Sequence, residues 1–217
     1  MNSKKNNYIQ MRNQMRTHFL SYDQEKMIRK FDLAHDEEYL YIQFWNRPYR
    51  IGRTTGIVEW SEDQFRSYTE GDYNESLTIY DVLCYSKPDC HLSGEYAPSN
   101  SLKGTVYTGM VAGSSMGERK TEAFFDANAD LLAKACEALG GVPEGQGDVA
   151  YRLPMFHFLS VRFAFWHSDE DFPPEIRFLW DTNVLSFMHY ETLWMGAGHL
   201  LHRLQNWMQN NQFENKE

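Results

Sequence analysis

Three consecutive acidic residues close to a histidine form the part of this sequence best suited to chemistry. They are His167, Asp169, Glu170 and Asp171, and Asp181 follows ten residues further on. Carboxylates grouped with an imidazole can bind a divalent cation or act as general acid and base. A structural interpretation is also open: Asp169 and Asp171 accept backbone N–H groups of a turn while Glu170 faces solvent. The same residues therefore predict either a metal- or carboxylate-assisted enzyme site or a shaped turn.

A tryptophan beside this acidic turn is a candidate for ligand binding. Trp166 ends an alternating run and lies on the second face of the predicted strand, with Arg162 on the same strand and Arg177 on the next. If no helix covers that face, these three side chains can line a ligand groove.

A glycine-rich segment is a third candidate site. Gly113-Ser114-Ser115-Met116-Gly117 precedes a predicted helix, and helix N-termini favour anions. The segment lacks the sequence of a phosphate-binding P-loop and that of a dinucleotide site. Residues 113–121 are therefore either a small-anion site or an ordinary connecting loop.

The histidine and cysteine spacings do not predict a metal or cofactor. His157 and His167 lie ten residues apart in one extended run, about 33 Å at the usual rise per residue. His199 and His202 are three apart on a predicted helix, but no third ligand is visible, and we predict solvated surface histidines. The cysteines form no CxxC pair, and Cys84 is expected to be a small buried apolar residue.

Charge and hydropathy exclude several classes of function. Lysine and arginine number 21 against 30 acidic residues, a net charge of −9, which argues against binding to nucleic acid or to an anionic membrane. No apolar run is long enough to span a membrane, and the first residues have no signal-peptide core. We therefore expect a cytoplasmic protein, monomeric or homodimeric, whose partner is an unknown protein or small molecule. The HExxH and SxxK motifs of known enzyme classes are absent from the sequence.

The periodicity of apolar residues predicts the elements that position these candidates. Alternation over 159–166 and 175–181 predicts an antiparallel hairpin with a long acidic turn between its strands. Further strands are predicted at 39–45, 49–51 and 56–60, with turns at 46–48 and 53–56. Helical spacing predicts helices at 3–20, 75–86, 121–139 and 189–210. The result is a single α+β domain over 1–217: an antiparallel sheet with helices mainly on one face, a peripheral helix over 1–20 and a frayed tail over 210–217.

The order of these elements resembles a known family. The segments that carry the likeness are Leu153-Pro154, Phe165-Trp166, Asp169-Glu170-Asp171-Phe172-Pro173, Phe178-Leu179-Trp180-Asp181 and Leu200-Leu201-His202-Arg203-Leu204, with Leu92-Ser93-Gly94-Glu95 as a weaker match. They resemble the bacterial domain family DUF3786, which has no established activity. The resemblance implies a fold and almost no chemistry. Some members are labelled as iron–sulfur proteins, but this chain lacks the cysteine ligands for a cluster.

From these observations we expect a cytoplasmic binding or accessory domain that resembles DUF3786 and has no catalytic activity. Two alternatives remain open: an enzyme working at residues 167–171, and a small-anion binder at residues 113–121.

Overall fold

Helices and antiparallel strands build the protein in the computed structural model, which describes residues 2–104 and 119–212. The helices in this part of the chain are α1 (Asn2–Ser21), α2 (Gln24–Phe31), α3 (Tyr73–Tyr85), α4 (Arg119–Asp126), α5 (Ala129–Ala138) and α6 (Tyr190–Asn211). The strands are β1 (Ala34–His35), β2 (Tyr39–Phe44), β3 (Arg47–Gly52), β4 (Val58–Trp60), β5 (Thr69–Glu70), β6 (Tyr96–Pro98), β7 (Val142–Pro143), β8 (Val149–Phe156), β9 (Leu159–Trp166) and β10 (Glu175–Asp181). The α+β class is confirmed. No helix in the described ranges is both long and apolar enough to cross a bilayer.

The first sheet is a meander of five strands in the order β1-β2-β3-β4-β5. Its central hairpin turns at Trp45 and Asn46, whose φ angles are +49° and +57°, and Phe44 pairs with Arg47. Two successive left-handed residues make the tight turn whose twist suits a hairpin. The predicted turn at 46–48 was one residue late, because neither turn residue is the glycine that usually marks this geometry.

The second sheet has the order β6-β10-β9-β8-β7. The predicted hairpin of β9 and β10 is confirmed, with Glu175 paired to Trp166. Two neighbours of this hairpin were not predicted, β8 and the short edge strand β6. The strands therefore form two sheets rather than the single sheet expected, since alternation identifies the buried face of a strand but not its partners.

The helix predicted over 121–139 is two helices, α4 and α5. Asn128 separates them with a non-helical φ of −143°, and its side-chain amide donates to the Phe124 carbonyl at 2.8 Å. An asparagine that bonds locally to the backbone competes with helix propagation. Helix α4 includes Arg119, two residues before the predicted start, and the hydroxyl of Thr121 accepts a hydrogen bond from Gln205.

A single residue ties the two sheets to the last helix. Trp45 is fully buried, and its backbone N–H donates to the Met155 carbonyl of β8 at 2.9 Å. Its indole N–H donates to the Gly196 carbonyl of α6 at 3.0 Å, and its own carbonyl accepts from Arg203 at 3.0 Å. The buried apolar residues of both sheets belong to one contiguous core around this point.

Candidate functional site

An open groove of about 1550 Å³ lies where the acidic turn meets α4 and α6. Its walls include Glu122 of α4, Trp194 of α6, Trp166 of β9 and the first half of β10, and it extends to Asn100 just beyond β6. The position of α4 follows from its packing: Phe125 meets the rings of Phe163 and Phe165 edge-on, which holds the helix on the buried face of the second sheet.

The acidic turn is shaped by its own first carboxylate. Asp169 accepts hydrogen bonds from the backbone N–H groups of Asp171 and Phe172 at 2.9 and 2.7 Å. Its backbone N–H donates to the Phe172 carbonyl, which closes the turn. Glu170 and Asp171 are exposed. The arrangement of Asp169 matches the structural interpretation of this segment.

His167 belongs to a small polar cluster beside the groove. Its Nδ1 lies 2.8 Å from an Asp126 carboxylate oxygen, and its backbone N–H donates to Asp148 at 2.7 Å. The hydroxyl of Ser168 donates to the second oxygen of Asp126. This hydroxyl, followed by the His167 ring, holds the pKa of Asp126 below its usual range.

Asp181 is not part of the acidic turn. It stands at the opposite end of β10 from Glu175, the residue next to the turn. It is 1% exposed and accepts hydrogen bonds from the backbone N–H groups of Ser93, Gly94 and Asn183 and from the Ser93 hydroxyl, at 2.8 to 3.0 Å. Every one of these contacts fixes the chain, so Asp181 is a structural residue.

Two of the three predicted groove residues meet in the groove. The Arg177 guanidinium lies 4.9 Å from the centre of the Trp166 ring, and it forms a bidentate pair with Glu175 at 2.7 and 2.8 Å. Arg162 points elsewhere: it pairs with Glu144 and lies over the Tyr96 ring at 4.1 Å. The remaining ligand-binding candidates, Ser114 and Ser115, lie outside the described residues, as does most of the 113–121 segment.

Glu122 lines the groove but was not predicted from the sequence as a site residue. Glu122 is 6% exposed, and its Oε1 has no hydrogen-bond partner among the residues that the structure describes. Two other buried polar atoms in the described ranges share this property, Thr78 Oγ1 and Trp180 Nε1, but neither residue lines the groove. The sequence offered only a weak signal, the four-residue spacing that places Glu122 and Asp126 on one side of a helix.

A second group of buried polar residues lies between the first sheet and α6. Tyr49 donates to Glu75 Oε1 at 2.6 Å, and His199 Nε2 lies 3.5 Å from the same oxygen. His199 stacks on Phe44 with a ring separation of 5.1 Å. The prediction of a solvated His199 is therefore wrong, because the first sheet covers the side of α6 that sequence patterning assigned to solvent. His202 is exposed, as expected.

Burial of His199 predicts a specific pH dependence of stability. Burial, with Arg203 and Arg47 nearby, lowers the His199 pKa to about 3, whereas an unfolded histidine titrates near 6.5. Between these values the unfolded chain binds a proton that the folded chain does not. His199 therefore removes stability as the pH falls, by at most about 1.4 kcal/mol per pH unit. Burial raises the pKa of Glu75, so that group contributes in the opposite sense.

Urea denaturation of the wild type and of His199→Gln between pH 7 and pH 5 separates the effect of His199 on stability from that of Glu75. We expect the unfolding free energy of the variant to fall less steeply with decreasing pH. If the unfolding free energies of the two proteins changed with pH by the same amount, His199 would not be the buried neutral group described above.

Metal-binding geometry is not found in the described part of the chain. Within residues 2–104 and 119–212, no three histidine, cysteine or acidic side chains are grouped so that they could hold an ion. Cys84, Cys90 and Cys136 are free thiols, and Cys84 is buried as expected. Burial raises the pKa of the Cys84 thiol to about 12.

Comparison with known proteins places the chain in a family but gives no activity. The model of the family described as "Domain of unknown function (DUF3786)" matches residues 23–203 of the 217. No curated protein and no solved structure matches the chain significantly. The segments that suggested the resemblance occupy defined places in the fold: Ser93-Gly94 caps the Asp181 carboxylate, and the acidic turn borders the groove. This chain belongs to the DUF3786 family.

Proposed function

We propose that this protein is a binding or accessory domain whose groove holds a ligand carrying a basic group. The observation that carries the proposal is the Glu122 carboxyl group, which is buried in the groove wall with one oxygen unpaired. Leaving a buried acceptor without a partner costs about 1–3 kcal/mol, and more for a charged group. Oε1 is closed to solvent in the free protein, so a ligand N–H group would offset that cost once the Glu122 side chain turns toward the groove. The core of the protein gains nothing from a carboxyl group at this position.

The other charges of the groove support a basic ligand. Its acidic residues are Glu122, Asp148, Asp169 and Glu175, and its arginines are Arg119 and Arg177. Arg177 is paired with Glu175. Arg119 is then the remaining arginine of the groove lining, against the carboxyl groups of Glu122, Asp148 and Asp169. A positively charged group is therefore favoured over an anion in this groove.

Aromatic side chains add a second means of recognition. Trp166 and Trp194 line the groove, and Phe172 at the acidic turn is 69% exposed. The Phe172 ring is a further aromatic surface of the groove besides the two tryptophans. The faces of these rings also attract cations, by about 0.5–1 kcal/mol at exposed sites.

We further propose that the protein acts in the cytoplasm. Three unpaired thiols, two of them buried, suit a reducing compartment, where cysteines serve as packing residues. The excess of acidic residues supports a protein or small-molecule partner rather than a nucleic acid.

A carboxylate-assisted enzyme is the second candidate, and one contact favours it. Asp126 holds Nδ1 of His167, the arrangement that orients a histidine for general base catalysis. The two candidates differ in what happens to a ligand. An enzyme converts it with a rate that falls in His167→Ala, whereas a binding domain releases it unchanged.

Replacement of Glu122 by glutamine tests the proposed function. We expect Glu122→Gln to keep or raise the free energy of unfolding, by up to about 2 kcal/mol, because an amide is easier to bury than a carboxylate. The same change should abolish the increase in melting temperature produced by short peptides that contain one lysine or arginine. Differential scanning fluorimetry and urea denaturation measure the two effects.

Glu170→Gln is the matched control for this test. It removes the same charge from the neighbouring turn, but Glu170 is exposed and does not line the groove. Ligand binding should survive in this control. Two outcomes would refute a specific role of Glu122 as a ligand partner. One is an equal loss of binding in the two variants, and the other is a Glu122→Gln protein that is less stable than the wild type.

A further inference from the structure

The open backbone edge of β10 runs along the groove. The edge strand β6 pairs with only the last three residues of β10, Leu179, Trp180 and Asp181. On the side away from β9, the backbone of Glu175–Phe178 makes no hydrogen bond to any residue in the described part of the chain. In an antiparallel sheet, alternate residues of such a stretch turn both N–H and C=O outward. The groove is therefore bordered by unpaired donors and acceptors in a row.

From this edge we infer that the ligand of the proposed groove is an extended, basic polypeptide segment that adds a strand to β10 in line with β6. The inference rests on the proposed function and specifies its ligand. Strand addition to an open edge is a common mode of peptide recognition, in which backbone hydrogen bonds give affinity and alternate side chains give specificity. The open stretch of four residues corresponds to about 13 Å, enough for a short peptide.

The size of the groove favours such a ligand over a small molecule. Pockets for small molecules enclose about 300–1,000 Å³ and bury most of their ligand. This groove measures about 1550 Å³ and is open to solvent. A polypeptide segment can fill that volume, whereas a small molecule would leave most of the walls in contact with solvent.

The two faces of an added strand would meet different surroundings. Ile176 and Phe178 lie on the buried face of the sheet, the face covered by α4, and Arg177 lies on the other face beside Trp166. Alternate side chains of the peptide would therefore point either toward Glu122 and Trp194 or toward Trp166 and Arg177. A lysine or arginine is expected on the first side, where its charge lies near the carboxyl group of Glu122 in the groove wall.

Hydrogen exchange of the free protein tests the edge itself. Ile176 and Arg177 are adjacent in β10, so one backbone amide faces β9 and the other faces outward. We expect the two amides to exchange at rates that differ by at least about 100-fold, because only one is hydrogen-bonded in the sheet. Slow exchange of both amides would show that the edge is already paired, and would overturn the inference.

Selection from a phage-displayed library of random peptides tests the ligand. Panned against the full chain, the library should yield peptides with lysine or arginine at one fixed position, and these should bind Glu122→Gln at least about ten-fold more weakly. Backbone N-methylation of a selected peptide should weaken binding at every second residue and leave the intervening residues unaffected.

Three outcomes would overturn the strand-addition inference: no enrichment, N-methylation effects without a two-residue period, or equal binding to Glu122→Gln. Enrichment can fail while single basic peptides or amines still stabilise the wild type but not Glu122→Gln. In that case the groove is a binding site for a smaller basic ligand, and the proposed function stands without the added strand. If no basic ligand of either kind depends on Glu122, the proposed function fails too.

Discussion

Asp181→Ala is expected to lower the free energy of unfolding by about 2–4 kcal/mol. The carboxylate of Asp181 accepts four hydrogen bonds from the 93–94 segment and from Asn183. Alanine would leave these donors without their acceptor, while the bonds of Thr182 to Ser93 and Glu95 still connect the segment to the end of β10. Urea denaturation at pH 7 measures the change.

Asp171→Ala provides the matched comparison. Asp171 is an exposed acidic residue of the turn between β9 and β10, and its replacement should change stability by less than about 0.5 kcal/mol. The free energy of unfolding of Asp181→Asn should lie between those of Asp181→Ala and Asp171→Ala, because asparagine keeps the shape of the side chain and one acceptor oxygen. An Asp181→Ala protein as stable as Asp171→Ala would contradict the structural role of this residue.

Trp45→Ala is expected to have the largest effect on stability, a loss of about 3–5 kcal/mol. The substitution removes a fully buried ring from the point where the two sheets meet α6, and it removes the hydrogen bond from the indole to Gly196. The backbone bonds of residue 45 to Met155 and Arg203 remain possible, so the loss reports mainly on packing.

Trp45→Phe separates ring packing from the indole hydrogen bond. We expect phenylalanine to retain most of the packing and to lose about 1–2 kcal/mol, chiefly through the lost hydrogen bond from the indole to the Gly196 carbonyl. Thermal and urea unfolding of the two variants give the comparison. If Trp45→Ala unfolds with the stability of the wild type, the tryptophan does not hold the sheets and the helix together.

Local patterns in the sequence predicted the elements around the groove. Alternating apolar residues located β9 and β10, and helical spacing located α6, because each pattern depends only on near neighbours along the chain. The shaped turn at Asp169 was one of the two interpretations offered for the acidic run. These predictions needed no knowledge of which elements pack together.

The residues that the sequence did not reveal are defined by contacts between distant segments. Glu122 resembles any acidic residue in a first helical turn until α4 is packed against the second sheet. His199 lies on the polar side of α6 by pattern, and becomes buried only when Phe44 of the first sheet stacks on it. Asp181 was grouped with the acidic turn as a candidate because it lies across the same hairpin, but it stands at the end of β10 away from that turn.

The tryptophans offer the most direct test of a ligand in the groove. Their indole N–H signals can be followed one by one in a ¹⁵N-labelled protein. Trp166 and Trp194 line the groove, whereas Trp45 and Trp180 are fully buried elsewhere. The measurement is a titration with the lysine-containing peptide that most raises the melting temperature.

The account predicts saturable shifts of the Trp166 and Trp194 signals, unchanged signals from Trp45 and Trp180, and loss of the shifts in Glu122→Gln but not in Glu170→Gln. Binding that leaves the Trp166 and Trp194 signals unmoved, or that persists unchanged in Glu122→Gln, would contradict the assignment of this groove as the binding site.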